Sequence, residues 1–165
     1  MIVSVWHILV ALIVLQRLVE LAVARINTRR LLAAGGVEHG AGHYPLMVAL
    51  HVAWLVCLAV FVPADAALDS LLFLLFLLTQ AARVWVIVSL GRYWTTRVIA
   101  VPSAPLVARG PYRWLRHPNY LIVVAEIALV PLIAGAWEIA AAFSIANAAM
   151  LWHRIRIENA ALAGR

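Results

Sequence analysis

Arg109-Gly110-Pro111-Tyr112-Arg113-Trp114-Leu115-Arg116-His117-Pro118-Asn119-Tyr120 is the densest group of charged, aromatic and turn-forming residues in a chain that is otherwise mostly apolar. An apolar run follows it from Leu121. Pro118 suits the first turn of a helix, where its missing N–H costs nothing. The residue before a proline is biased away from the helical region. His117-Pro118 therefore reads as the point where an irregular polar loop becomes a membrane helix. A helix start also gathers unpaired N–H groups and partial positive charge, which suit an anionic group of a ligand. A juxtamembrane arginine and aromatic anchor would have the same composition, so the residues alone leave both readings open.

Working outward, the chain has 165 residues, of which 66% are hydrophobic and 12% charged, and this excludes an ordinary soluble domain. Its length suits one domain, residues 1–165. The positive charge comes from arginine alone, placed at the ends of apolar runs as topology determinants are. No basic tract with interleaved polar residues occurs, so no nucleic-acid partner is expected. Cys57 lies within an apolar run and reads as a buried small hydrophobe. The N-terminus has neither a basic segment nor a small-residue cleavage site, so no cleaved signal peptide is expected.

Three long apolar runs precede the central stretch, at 2–24, 44–62 and 68–90, each long enough for a membrane helix of about 20 residues. Arg17 and Glu20 fall three apart on one helix face, where they can pair. A polar, glycine-rich connection follows, with His39 and His43 four apart and no third ligand but Glu38, so no metal site is expected. His51 and Trp54 sit three apart in the second run, and the histidine reads first as a packed core residue. The short turn at Pro63–Ala67 predicts an antiparallel hairpin of the second and third runs. In the third run Gln80 and Arg83 share a face, which should turn inward, because an intramembrane arginine must face protein or water.

Residues 91–116 hold five arginines and three prolines and cannot be a span. The remainder, to residue 165, is this loop and a second hairpin, Asn119–Ile133 followed by Trp137–Leu151, which continues as a polar helix through Arg154 and Glu158. Glu126 lies within the hairpin, either as a functional carboxylate or as a partner for Arg83. The expected fold is all-α: an integral membrane protein of five transmembrane helices, two antiparallel hairpins plus an N-terminal span. With the N-terminus outside, every arginine-rich connection lies in the cytoplasm. Tyr112, His117, Tyr120, Arg154 and Glu158 then share a cytoplasmic-face pocket. Arg154 and Glu158, one helical turn apart, are either a simple ion pair or the holders of a polar ligand.

Gly110-Pro111-Tyr112, Arg116-His117-Pro118-Asn119-Tyr120 and Arg154-Ile155-x-x-Glu158 together resemble the signature of the isoprenylcysteine carboxyl methyltransferase family. Gly91-Arg92-Tyr93-Trp94-Thr95-Thr96-Arg97 looks most like its small bacterial branch, some members of which are associated with type III polyketide synthases and O-methylate alkylpyrone or alkylresorcinol lipids. The resemblance implies an integral membrane enzyme, in the bacterial inner membrane, that transfers methyl from S-adenosylmethionine and releases S-adenosylhomocysteine. Its acceptor would be a lipophilic carboxylate or phenol, and a polyketide synthase a functional associate. By position it implies cofactor contacts at Ala104, Pro105, Leu106, Val107, Gly110, Tyr112, His117, Pro118, Asn119, Tyr120 and Glu158. It makes Arg154 the binder of the substrate anion, and Arg154 and His117 are read as the catalytic residues. Arg83 and Glu126, as inward-facing charges within the membrane rather than from the resemblance, are expected to be further substrate contacts. Two departures concern the substrate. Ala104-Pro105 stands where eukaryotic members have His-Thr, and Glu158-Asn159 where a Glu-Glu pair is frequent. Weaker versions of the motif in sterol reductases leave a nicotinamide-dependent reductase as an alternative, and a non-catalytic lipid-binding or transport helper as another. Five spans without matching broken helices argue against a transporter.

Overall fold

A computed structural model of the chain describes residues 4–102, 104 and 107–162. Ser4 opens helix α1 (Val5–Ala33) by accepting from the His7 amide, and Asp69 does the same for α3 (Ser70–Leu90) through the Leu72 amide at 2.9 Å. Between them lies α2 (Tyr44–Phe61). Pro118 takes the first position of α4 (Pro118–Ile133), as its chemistry dictates, and α5 (Trp137–Leu162) follows after Gly135, whose φ of 71° makes the turn. Three helical stretches, Val5–Ala33, Ala41–Phe61 and Ser70–Tyr93, are long and apolar enough to cross a membrane, while Pro118–Ile133 is apolar but shorter.

The chain is mostly helical, as expected, with one short β ribbon that the sequence did not reveal. Val37–His39 (β1) and Val98–Ala100 (β2) pair antiparallel, with Val37 opposite Ala100 and His39 opposite Val98. Arg97 Nη1 reaches Glu38 Oε1 at 2.7 Å across this ribbon. Strands of three residues carry too little alternation to be seen in a sequence, and these are about sixty residues apart. One correction concerns α1. It does not stop near Ala24 but runs on to Ala33 through residues that look like a polar connection. Asn27 explains the extension: its buried side-chain amide donates to the Trp94 carbonyl at 2.9 Å and the Gly91 carbonyl at 3.2 Å, fixing the helix to the loop after α3.

The turn between α2 and α3 does not make the expected hairpin. α2 packs on α1 and α5, whereas α3 packs mainly on α4, and α4 and α5 form the second hairpin as expected. The tight core lies at the end of the bundle where α1, α3 and α5 begin and α2 and α4 finish. Trp6, Ile13, Leu58, Phe76, Val130 and Ile133 meet there, and the Trp6 indole donates to the Leu58 carbonyl at 3.0 Å. The opposite end holds the β ribbon, the loop after α3 and the last turns of α5. That end opens into two clefts.

Partway along the bundle, charges lie between helices. Arg83 Nε donates to Glu126 Oε1 at 2.8 Å and its Nη2 also contacts this carboxylate, Arg17 Nη2 reaches Glu126 at 2.8 Å, and Glu20 accepts from Arg17 at 2.6 Å. Gln80 donates to Glu126 at 2.7 Å and accepts from Gln16 at 2.9 Å. Two arginines and two glutamates balance, so the cluster brings no net charge into the apolar bundle.

Candidate functional site

α4 and α5 are neighbours, so the first turns of one lie beside the last turns of the other. This brings Tyr120 against Arg154 and Glu158. Its hydroxyl accepts from Arg154 Nε at 2.8 Å and donates to Glu158 Oε2. No direct ion pair between Arg154 and Glu158 appears among the described residues; the tyrosine oxygen stands between them. Arg154 is only 6% exposed. Its Nη1 reaches the Met47 sulfur on α2 at 3.0 Å, and its guanidinium carbon stands 5.6 Å from the centre of the Tyr120 ring.

His117, just ahead of α4, stacks on the Tyr120 ring with centroids 5.3 Å apart and 16° between planes. Its Nδ1 is 3.6 Å from Glu158 Oε1, and its Nε2 is 3.3 Å from Asn159 Oδ1. The Glu158 carboxylate beside it raises the imidazole's pKa above its ordinary value, against the opposing effect of burial. The ring therefore keeps its proton to higher pH than a free histidine. Burial, with Glu158 nearby, raises the Tyr112 phenol further above its already high value, so Tyr112 stays neutral.

These side chains line a polar cleft whose other wall is β2. Behind it a wider cleft of about 490 Å³, walled mainly by apolar residues of α1, α2, α4 and α5, runs into the bundle. Its size is that of a small-molecule site. Trp94, Thr95, Asn119, Tyr120 and Arg154 belong to both walls, so the two clefts meet at the Tyr120–Arg154 contact. Two buried polar atoms at this junction, Asn119 Oδ1 and Trp94 Nε1, have no hydrogen-bond partner among the described residues.

The profile of the isoprenylcysteine carboxyl methyltransferase family matches residues 71–164, from the start of α3 to the end of α5. The chain belongs to that family. It is thus a membrane methyltransferase, of a family whose members generally use S-adenosylmethionine. An uncharacterized protein of Bacillus subtilis (strain 168), YpbQ, is 39% identical over 158 residues, covering 93% of this chain and 94% of the relative. No solved structure matches.

In this methyltransferase the residues marked out by the sequence separate into groups. Tyr112, His117, Asn119, Tyr120, Arg154 and Glu158 converge on the polar cleft. Gly110 and Pro118 do not line it. Gly110 has φ 56° and lies so close to the Ser89 side chain that any Cβ would collide with it, and the Trp85 indole is near. It sets the approach of the Gly110–Arg113 turn to α3, and through that turn the position of Tyr112. Pro118 is buried at the helix start. Ala104 and Val107 are not among the described residues that line the cleft, and Pro105 and Leu106 lie outside the described residues. Arg83 and Glu126 face each other in the charged cluster and line the wider cleft. Sequence reasoning missed Trp94, Thr95 and β2 as walls. The signal was present in the Gly91–Arg97 run, which carries the family likeness but looked like a loop.

Proposed function

We propose that the chain is an S-adenosylmethionine-dependent O-methyltransferase that places the cofactor in the polar cleft and the acceptor's lipid chain in the apolar one. The observation that carries this reading is the shared wall at Tyr120 and Arg154. Two substrates of opposite polarity can meet there.

The residues fit the cofactor. Glu158 and the unpartnered Asn119 Oδ1 offer acceptors for its amino and hydroxyl groups, and Trp94 Nε1 offers a donor for its carboxylate. When bound, S-adenosylmethionine supplies an already activated methyl group on a positively charged sulfur. What remains for the protein is placement, which can supply much of the catalysis. Arg154 has N–H groups beyond those given to Tyr120 and Met47, and it can hold an acceptor's anionic oxygen at the junction. Its Tyr120 contact and burial fix the guanidinium in place. A carboxylate acceptor needs no base. A phenol, with a pKa near 10, must lose a proton, and Glu158, by raising the His117 pKa, leaves less of that imidazole in the free-base form at a given pH. The site thus favours a lipophilic carboxylate, with alkylresorcinol and alkylpyrone phenols as the second acceptor class. Arg83 and Glu126 would flank the acceptor's chain rather than its head.

Five spans with the N-terminus outside agree with this placement. Arg29, the loop after α3 and the end of α5 all gather at the cleft end, which would be cytoplasmic and within reach of a soluble cofactor. Cysteine labelling should put positions 29 and 65 on opposite sides of the membrane; finding both on one side would overturn the topology.

Arg154→Lys separates the roles. Lysine keeps the charge but not the planar fork, so transfer of labelled methyl to a lipid acid should fall at least tenfold while cofactor affinity changes little. Near-normal turnover would remove Arg154 from the acceptor site.

A further inference from the structure

Arg154 on α5 and Met47 on α2 are in contact, and these two helices run antiparallel, α2 leaving the cleft end and α5 arriving at it. Moving two turns inward from each, seven residues and about 10 Å along the axis, leads to Trp54 on α2 and Asn147 on α5. Seven residues is close to two whole turns, so both stay on the faces that carry Met47 and Arg154. Both line the apolar cleft, and both are only 2% exposed. The Trp54 indole N–H is buried without an acceptor. The Asn147 amide has no side-chain hydrogen bond among the described residues. One turn before Trp54, His51 also lines the cleft, and its Nδ1 lies 2.8 Å from the Met47 carbonyl. A carbonyl only accepts, so Nδ1 carries the proton and Nε2 keeps its lone pair. In a cleft whose other polar side chains at this depth, Arg17, Glu20, Arg83 and Glu126, pair with one another, a donor, an acceptor and an amide able to be either stand without partners among the described residues. The charged cluster is at similar depth, since Glu126 is six residues inward from Tyr120 on α4, but its members are satisfied by one another. It cannot explain the unpaired groups opposite.

We propose that Trp54, Asn147 and His51 form a second polar subsite within the apolar cleft, which takes a hydroxyl carried on the acceptor's chain about 10 Å from the methylated head. A hydroxyl suits the set because it can accept from Trp54 and donate to His51 or Asn147. Leaving these groups unpaired against a plain hydrocarbon chain is unfavourable, whereas a correctly placed oxygen satisfies them. The acceptor class is thereby narrowed from any lipophilic acid to an oxygenated one. This rests on the reading that the acceptor's head meets Arg154.

The test compares stearate with 10-hydroxystearate, whose hydroxyl falls near the required depth, and with 2-hydroxystearate as the positional control. Binding is measured calorimetrically on the full chain in detergent. The 10-hydroxy acid should bind about 2- to 10-fold tighter than stearate, and the 2-hydroxy acid should not share the gain. Trp54→Phe and Asn147→Leu should each lower the ratio of 10-hydroxystearate to stearate affinity, a ratio read within each variant so that any change in stearate binding itself cancels, with circular dichroism reporting that the variant is folded. Equal affinity for stearate and the 10-hydroxy acid, a preference intact in both variants, or no binding of either acid would overturn the subsite. Cofactor affinity measured alongside keeps the two readings apart. Cofactor binding without a hydroxyl preference sinks the subsite alone. A hydroxyl preference without cofactor binding sinks the enzymatic reading and leaves the subsite standing.

Discussion

Glu158→Ala should weaken S-adenosylmethionine binding about 10- to 150-fold, the loss expected for a charge-assisted hydrogen bond contributing roughly 1.5–3 kcal/mol. The geometry makes this residue more than one contact among many. Its carboxylate accepts from the Tyr120 hydroxyl and stands beside His117, so it orders two of the rings that wall the polar cleft. Alanine would remove the anion that suits a cofactor's amino or hydroxyl groups, and would also leave Tyr120 held only by Arg154. Glu158→Gln keeps the shape and an acceptor oxygen but not the charge, and should fall between alanine and the parent. Calorimetric titration of the purified protein with the cofactor reads all three. Unchanged affinity in Glu158→Ala would refute the assigned role. The same variant should return the His117 pKa towards an ordinary imidazole's, because the neighbouring carboxylate is what raises it.

Glu126→Ala should be the most destabilising single change in the bundle. It removes the carboxylate that holds Arg83 and Arg17, and both guanidinium groups would be left between helices without it. Breaking a buried pair from one side costs about 3–5 kcal/mol. The remaining carboxylate, Glu20, would face two arginines. Removing both partners instead, as Arg83→Met with Glu126→Leu, leaves Arg17 and Glu20 balanced and should recover most of the loss. Denaturation in mixed micelles measures both variants. If Glu126→Ala is as stable as the parent, the cluster is not what holds α1, α3 and α4 together. A large loss for the single change with recovery in the double would mark Arg83 and Glu126 as structural partners, with any contact to an acceptor secondary.

What the sequence made legible was local. His117-Pro118 marked a loop-to-helix boundary through the chemistry of one residue pair, and the helix starts there. The apolar runs located all five helices, because length and hydropathy are properties of a segment. The motif residues Tyr112, His117, Tyr120, Arg154 and Glu158 were also visible, and they lie around one cleft. What escaped depends on partners far away in the chain. The continuation of α1 to Ala33 rests on Asn27 meeting the loop carbonyls of Gly91 and Trp94. The β ribbon needs Val37–His39 to find Val98–Ala100. The separation of α2 from α3 follows from which helices each packs on, which a short connecting turn does not determine. Arg154 and Glu158 looked like a pair because they are one turn apart on one helix. Only the approach of α4 places a tyrosine oxygen between them.

The packing of the bundle is lopsided: Trp6, Leu58, Val130 and Ile133 seal one end, the polar cleft lies at the other, and the apolar cleft reaches from it towards the core. Sites that far apart respond to substitution nearly independently. Substitutions in the polar cleft can therefore leave the sealed end intact, whereas the lining of the apolar cleft includes Val10, Trp54 and Ile127 of that core and Glu126 of the charged cluster, so changes there also act on the fold. The apolar cavity is in this sense part of the fold's own scaffold, and a change in what it holds is constrained by what keeps the helices together.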